Sequence, residues 1–223
     1  MIALQVFIGH DSRQPVAAAV CGQSISRRSA LPVSITYLHL NQLPVQRRGL
    51  TEFTYSRFLV PFLCRYEGLS LFVDSDVLCL GDVCDLLAYP IAYPETPVFV
   101  VKHESKELKF EWASLMLFNN AKCKALSPEY IRDESNKLFD VAWATNVGEL
   151  PKVWNHLVGY DAFDKDAKLI HYTQGIPIWP ETRACDYATE WQAEYAHLRS
   201  TCSFQTLMGS SVHVPKMQHV KVK

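Results

Sequence analysis

The chain has 223 residues, of which 48% are hydrophobic and 20% are charged. This composition is typical of a globular protein and excludes the disordered and fibrous classes. The 22 basic and 23 acidic side chains give a net charge of -1, so no overall field attracts the chain to nucleic acid or to an anionic membrane.

The sequence also gives expectations about compartment. Apolar runs such as residues 16–20 are too short to cross a membrane, and the N-terminal residues lack the basic start of a signal peptide. The seven cysteines are an odd number, are scattered, and form no CxxC pair. We therefore expect reduced thiols in a cytoplasmic protein without a membrane span.

The first half of the chain alternates predicted strands and helices. Apolar and β-branched runs predict strands at residues 3–8, 32–38 and 71–73. Helical patterns occupy residues 15–28 and 54–66, and Pro61 predicts a kink or an early stop in the second of these. This β-α-β-α-β order predicts a parallel sheet with helices on both faces.

The second half is less regular. Strands are predicted at residues 98–102, 114–118 and 168–171, and helices at residues 128–139 and 186–199. The last helix is amphipathic and is expected to pack back on the body of the protein. A Rossmann-like nucleotide-binding half at residues 1–85 and a mixed sugar and acceptor half at 86–223, within one domain, fit this pattern better than two independent domains.

Two carboxylates directly follow a short apolar strand. Asp74 and Asp76 come after residues 71–73, and ligands of open α/β sheets bind beyond the carboxyl ends of the strands. A divalent ion held by two such carboxylates neutralises a departing diphosphate without needing a proton. This stretch therefore predicts metal-assisted chemistry on a phosphate-containing donor.

A third ligand for this ion is His171, at the end of another predicted strand. An imidazole beside two carboxylates favours a transition metal such as manganese over calcium. The alternative is that Asp74 and Asp76 only form a turn or cap. A phosphatase of the haloacid dehalogenase type also has a strand-end D-x-D, but that motif follows its first strand, whereas Asp74 follows the third predicted strand here.

Several other polar residues have both structural and functional interpretations. Arg57 lies among apolar residues, where a guanidinium needs an anionic partner, either a donor phosphate or the Asp74 region. Asn119 and Asn120, at a strand end, either form a turn or bind sugar hydroxyls.

The same ambiguity applies near the N-terminus and among the acidic residues of the second half. His10 and Asp11 either cap the following helix or bind a nucleotide. Glu111, Asp140 and Glu149 are candidates for stabilising a positively charged sugar centre, and the sequence does not choose among them.

Five sequence blocks, in their order and spacing, resemble glycosyltransferases of family 8 in the compact form found in bacteria and their phages. The blocks are residues 7–11, 55–61, 71–83, 112–120, and 154–155 together with 171–179. The resemblance implies an α/β fold of the GT-A type, with a Rossmann-like mixed sheet flanked by helices in one domain. It also implies a UDP-sugar donor, Mn²⁺ or Mg²⁺, and retention at the anomeric carbon.

The resemblance assigns roles to individual residues. The metal ligands are Asp74, Asp76 and His171, and the catalytic residues are Asn119, Asn120 and Arg57. The donor-binding residues are Ile8, Gly9, His10, Asp11, Arg57, Asp74, Ser75, Asp76 and Gly175.

One position departs from the family. A diphosphate-binding lysine is expected a few residues after the metal-binding histidine, but residues 176–178 contain no basic side chain. Either another cation, with Lys102 and Arg183 as the candidates, reaches the phosphates, or the donor is held differently.

Two other functions remain as alternatives. A sugar-phosphate nucleotidyltransferase is disfavoured because residues 9–15 lack the glycine-rich, basic loop of that class. A catalytically weak nucleotide-sugar-binding protein is compatible with the missing lysine. The acceptor is unknown, since acceptor pockets are built from variable loops.

Overall fold

The computed structural model describes residues 4–103 and 111–201. Its strands are β1 (Leu4–Gly9), β2 (Val33–Leu38), β3 (Leu69–Val73), β4 (Val77–Cys79), β5 (Val98–Val100), β6 (Leu115–Asn119), β7 (Val147–Glu149), β8 (His156–Leu157) and β9 (Leu169–His171). Its helices are α1 (Pro15–Arg28), α2 (Val60–Leu63), α3 (Ala88–Ala92), α4 (Pro128–Arg132) and α5 (Ala188–Thr201).

The main sheet has six strands in the order β2-β1-β3-β6-β5-β7. The first three strands are parallel, as the β-α-β-α-β pattern predicts, whereas β6 runs antiparallel to both β3 and β5. The predicted mixed α/β sheet flanked by helices is therefore confirmed. Strands from both halves of the chain belong to this one sheet.

The central strands of the main sheet are buried on both faces. Alternate side chains of a strand point to opposite faces. In β3, Leu71 and Val73 enter one core cluster, against α1, and Phe72 enters the other, against α2 and α4. Burial on both faces explains why these strands are apolar runs rather than alternating patterns.

A smaller sheet extends the fold beside the first. It has the order β4-β9-β8, and α5 packs near it through a third core cluster that contains Trp191. Glu194 of α5 is buried and pairs with Arg27 and Arg28 at the end of α1, at 3.1 and 2.8 Å. The last predicted helix thus does pack back on the body.

Two predicted helices are much shorter in the structure. Instead of a helix over residues 54–66, the chain forms a 3₁₀ helix at Ser56–Leu59 and then one turn, α2. The predicted helix at 128–139 ends at Arg132, because the carboxylate of Asp133 accepts hydrogen bonds from the backbone N–H and hydroxyl of Ser135. Such local side-chain bonds compete with the helical ladder.

The short strands were the hardest to predict. β4, β7 and β8 have no counterpart among the predicted strands, because two or three residues are too few to display a period. The strand predicted at 98–102 ends at Val100, and residue 3 of the first predicted strand lies outside the described residues.

The described part of the chain contains no disulfide, and its six cysteines are free. Burial raises the pKa of the Cys79 and Cys123 thiols to about 12, so these thiols stay protonated at neutral pH. Cys202 lies outside the described residues. Within 4–103 and 111–201, no helix combines the length and the apolar character that a membrane crossing requires.

Candidate metal centre

Three parallel strands end at the same edge of the main sheet. Leu38 pairs with Gly9, and Ile8 pairs with Val73, so the residues that follow β2, β1 and β3 lie side by side. These residues are His39, His10 and Asp74. Because β6 is antiparallel, it is the start of β6, not its end, that meets this edge.

The metal-ligand group forms where the two sheets meet. β9 pairs antiparallel with β4 so that His171 lies opposite Val77, the residue after Asp76. Ligand atoms of Asp74, Asp76 and His171 all lie within 4.8 Å of one another, and His171 Nε2 is 3.4 Å from Asp76 Oδ1. The structure therefore brings together the three residues predicted as metal ligands.

The two aspartates have different environments. Asp74 is almost fully buried and pairs with Arg57, whose Nη1 lies 3.0 Å from Asp74 Oδ1 and donates to the carbonyl of Ala113 at 2.6 Å. The side chain of Asp76 is 28% exposed. Arg57 itself is only 2% exposed, and of its two expected partners, a donor phosphate and the Asp74 region, the structure shows the second.

The pKa values of Asp74 and His171 are shifted because both groups are buried close to other charged groups. Burial raises the pKa of Asp74 to about 7; Arg57 opposes the shift, and Asp76 adds to it. Burial favours neutral His171, but the carboxylates of Asp76, Asp74 and Glu111 overcome that effect and raise its pKa to about 9. A cation between these groups would relieve the repulsion between the carboxylates.

The residues present fit a divalent metal. Asp76 Oδ1 and His171 Nδ1 are buried but make no hydrogen bond to any residue of the described ranges. Buried polar atoms normally have partners, so such atoms indicate a missing ligand or another unmet interaction. Two carboxylates and one imidazole form a donor set that suits Mn²⁺ or Mg²⁺.

A polar network supports the start of β6 beside this group. The backbone N–H of Asp74 donates to the carbonyl of Ser114 at 2.9 Å. The buried amide of Asn155 donates to Ser114 Oγ at 2.9 Å and to the carbonyl of Glu111 at 3.1 Å, and lies 3.2 Å from His103 Nε2. Burial lowers the pKa of His103 to about 4, so its ring is neutral at neutral pH.

A cavity of about 320 Å³ lies at the ends of β1 and β2. The rings of His10 and His39 contact each other there, with centroids 3.9 Å apart, and Asn41, Arg48 and Glu52 also line the space. Burial lowers the pKa of His10, which favours its neutral ring. Two tilted imidazole rings beside polar groups form a surface suited to a flat heterocycle.

The other donor-binding predictions at the end of β1 have mixed outcomes. The side chain of Ile8 is fully buried in the core, so a direct contact between that side chain and a donor is excluded. A Cβ on Gly9 would lie 2.4 Å from the Phe53 ring, which gives this glycine a packing role. Asp11 pairs with Arg13 at 2.6 Å rather than facing an open site.

Asn119 and Asn120 lie at the opposite edge of the sheet from the metal-ligand group. Asn119 pairs with Leu69 at the start of β3, and its amide donates to the carbonyl of Pro94. Asn120 is fully buried and accepts from Ser70 Oγ at 2.7 Å. This placement is inconsistent with their predicted catalytic role. The two residues come at the end of β6, which runs antiparallel to β3, so that end lies away from the metal-ligand group.

Four more of the predicted residues concern the donor and its phosphates. Ser75 is buried between the two aspartates. Gly175 has a φ of 109° and lines a separate cavity of about 250 Å³ with Gly159. Lys102 follows β5 at the metal edge and lies 3.6 Å from Glu149, whereas Arg183 is exposed in the turn after Trp179.

Two histidines that the predictions missed obey the rule that found Asp74. His39 and His103 both follow predicted strands, so a search of every strand end would have found them. Asn155 belongs to a resembling block, but only the structure shows its hydrogen bonds.

Protein-family models give no match to this chain. Solved structures of similar fold include the bifunctional glycosyltransferase WbbM, with a TM-score of 0.64 and 18% identity over 92% of this chain and 51% of that chain. The chain thus spans about half the length of WbbM. The galactosyltransferase LgtC, solved with donor and acceptor sugar analogs, has a TM-score of 0.54 and 12% identity over 86% of this chain and 95% of its own. The chain has the GT-A glycosyltransferase fold.

A curated relative gives the family. Protein CDI of Arabidopsis thaliana is 32% identical over an alignment of 224 positions that covers 85% of each protein. The chain belongs to the family of Protein CDI.

Replacing Arg57 by Met should destabilise the protein by about 3–5 kcal/mol, because the substitution leaves the Asp74 carboxylate buried without its cation. Urea unfolding measures the change. The control is Arg48→Met, in which a 67% exposed guanidinium loses a surface pair with Glu52 and the cost stays below about 0.5 kcal/mol. Equal costs for the two variants would contradict a structural role for the buried pair.

Asp11 should make the stability depend on pH in the acid range. Its hydrogen bonds and ion pair with Arg13 outweigh burial and lower the pKa of Asp11 to about 2. The stabilisation is therefore present above the unfolded pKa of about 4 and is lost as the pH falls toward 2.

The free energy of unfolding of Asp11→Asn and of the wild type, measured from pH 5 to pH 2, should converge as the pH falls. Arg13→Met removes the partner of Asp11. In an Arg13→Met background, Asp11→Asn should therefore change the free energy of unfolding less than it does in the wild type. A difference between wild type and Asp11→Asn that stays constant over this range would show that the ion pair does not lower the pKa.

Proposed function

We propose that this protein is a metal-dependent glycosyltransferase that moves a sugar from a nucleotide-sugar, with a UDP-sugar as the expected donor. The observation that carries the proposal is the convergence of Asp74, Asp76 and His171 at the sheet edge where ligands of α/β folds bind. The GT-A fold supports it, because WbbM and LgtC are glycosyltransferases with this fold.

Mn²⁺ or Mg²⁺ at this group would neutralise the diphosphate as the sugar–phosphate bond breaks. The residues of the chain prepare that site. Arg57 holds Asp74 in place, and Asp76 offers its more exposed carboxylate toward the solvent side. Burial of Asp74 lowers the local dielectric constant, which strengthens the attraction of its carboxylate for a cation.

The nucleotide is proposed to lie across the ends of β3, β1 and β2. Its diphosphate would lie near Asp74, Ser75 and Asp76, and its base would reach the cavity formed by His10 and His39. The order of the strands supports this path, since β1 lies between the other two.

Residues 1–85 are proposed to bind the nucleotide, and residues 86–223 the sugar and acceptor. Retention at the anomeric carbon follows from the family 8 resemblance. The first anomer released on donor hydrolysis, observed by proton NMR, tests retention.

Asp76→Asn should reduce hydrolysis of UDP-sugars in Mn²⁺ by about a hundredfold or more, because a leaving group without its metal loses several kcal/mol of stabilisation. Asp76 is the sharper choice than Asp74, since removing the Asp74 charge also leaves Arg57 unpaired. Turnover across a panel of UDP-sugars measures the loss, and thermal unfolding should show a folded variant.

Asp85→Asn is the matched control, because Asp85 is 54% exposed and pairs only with Lys168 among the described residues. Full activity of Asp76→Asn would reject the metal role. Donor binding without turnover by the wild type, in calorimetry and assay together, would favour the nucleotide-sugar-binding alternative.

His39→Ala should weaken UDP binding in the presence of Mn²⁺ by roughly 5- to 150-fold, the equivalent of about 1–3 kcal/mol of stacking on the base. Calorimetry with UDP measures it. His197→Ala, on α5, is the control and should bind UDP as the wild type does. An unchanged affinity in His39→Ala would exclude the cavity at the ends of β1 and β2 as the base site.

A further inference from the structure

The two ring nitrogens of His171 lie near two different carboxylates. Nε2 lies 3.4 Å from Asp76 Oδ1, within the group of possible metal ligands. Nδ1 is buried and forms no hydrogen bond with the residues that the structure describes. The carboxylate oxygen Oε2 of Glu111 lies 3.6 Å from Nδ1, only a few tenths of an ångström beyond hydrogen-bond distance.

We propose that Glu111 is a positioning residue that accepts the Nδ1–H of His171 and keeps Nε2 directed at the cation. This inference rests on the proposed metal-dependent function. Metal-binding histidines almost always donate their second N–H to a carboxylate, a carbonyl or water, which fixes the orientation of the ring. Glu111 is the carboxylate on the Nδ1 side of this ring.

Hydrogen bonds fix the backbone of Glu111. Its carbonyl accepts hydrogen bonds from Ser114 Oγ at 2.6 Å and from the amide of Asn155 at 3.1 Å. Asn155 and Ser114 are both at most 2% exposed. A buried, satisfied network limits the movement of the main chain, so the carboxylate starts from a fixed point.

Glu111 acts on the ring and not as a fourth ligand. In the described part of the chain, the group of ligand atoms within 4.8 Å consists of Asp74, Asp76 and His171 and does not include Glu111. Its side chain is 21% exposed and approaches the nitrogen that faces away from Asp76. Glu111 therefore has its place in the second layer around the cation.

The experiment is a double-mutant cycle on Mn²⁺ affinity, with free Mn²⁺ measured by electron paramagnetic resonance. Glu111→Ala should weaken binding roughly 10- to 100-fold, the usual effect of removing a second-layer partner. Glu111→Gln should lose less, because its amide oxygen can still accept the Nδ1–H. Glu95→Gln, an 82% exposed carboxylate at the opposite sheet edge, should bind as the wild type does.

In the His171→Ala background, Glu111→Ala should weaken Mn²⁺ binding by less than about twofold, because the ring through which it acts is gone. Electron spin-echo modulation gives a second readout, since the nitrogen coupling of a bound imidazole should be present in the wild type and reduced in Glu111→Ala. A merely structural role would leave this coupling intact.

Three outcomes would contradict the proposals, and they can be told apart. Equal losses from Glu111→Ala with and without His171 would show a direct effect on the metal and overturn the inference. Unchanged Mn²⁺ affinity in Glu111→Ala would also overturn it while leaving the proposed function standing. A wild-type protein that binds no Mn²⁺ would overturn both.

Discussion

The guanidinium of Arg57 lies behind Asp74, with its charged group within 6 Å of the rings of Phe53, Phe72 and Phe139. An ion pair this deeply buried is costly to form and still more costly to break, so it fixes the orientation of the carboxylate that it holds. Asp74, the first residue after β3, is thereby held in one orientation. Asp76, two residues later, is freer and faces outward, so the same motif contains one anchored and one accessible carboxylate.

The second requirement is the register between β4 and β9. Neighbouring side chains of a strand point to opposite faces, so a slip of one residue would exchange His171 with Tyr172. Tyr172 now lies in the third core cluster, and its hydroxyl donates to the carbonyl of Tyr187. Packing on the far face of the small sheet therefore determines that the imidazole, and not the phenol, faces the aspartates.

Much of the site was predictable because one rule connects sequence to position: polar residues after parallel strands meet at one edge. That rule identified Asp74, and the place of His171 at the end of another predicted strand added the third ligand. The same reasoning failed for Asn119 and Asn120, because strand direction is not written in the local sequence and β6 runs the other way. The residues that approach the metal-ligand group on this side come before β6 in the sequence, and their contacts depend on long-range packing.

Local sequence patterns also gave wrong predictions for segments in which side-chain contacts determine the backbone conformation. Residues 54–66 contain helix-forming apolar residues, yet Arg57 and Phe53 are committed to the core, and the chain forms a 3₁₀ helix followed by one α-helical turn. Tertiary contacts override helix propensity in so short a segment. Position in the sheet was thus easier to predict than the path between strands.

The pairing of β4 with β9 has a consequence for how the protein is made. The two strands are far apart in the sequence, so β4 leaves the ribosome long before its hydrogen-bonding partner is synthesised. Until then its backbone groups on that side form an uncapped strand edge, a known template for unwanted association. Newly made chains therefore carry this unpaired segment until residue 171 has emerged.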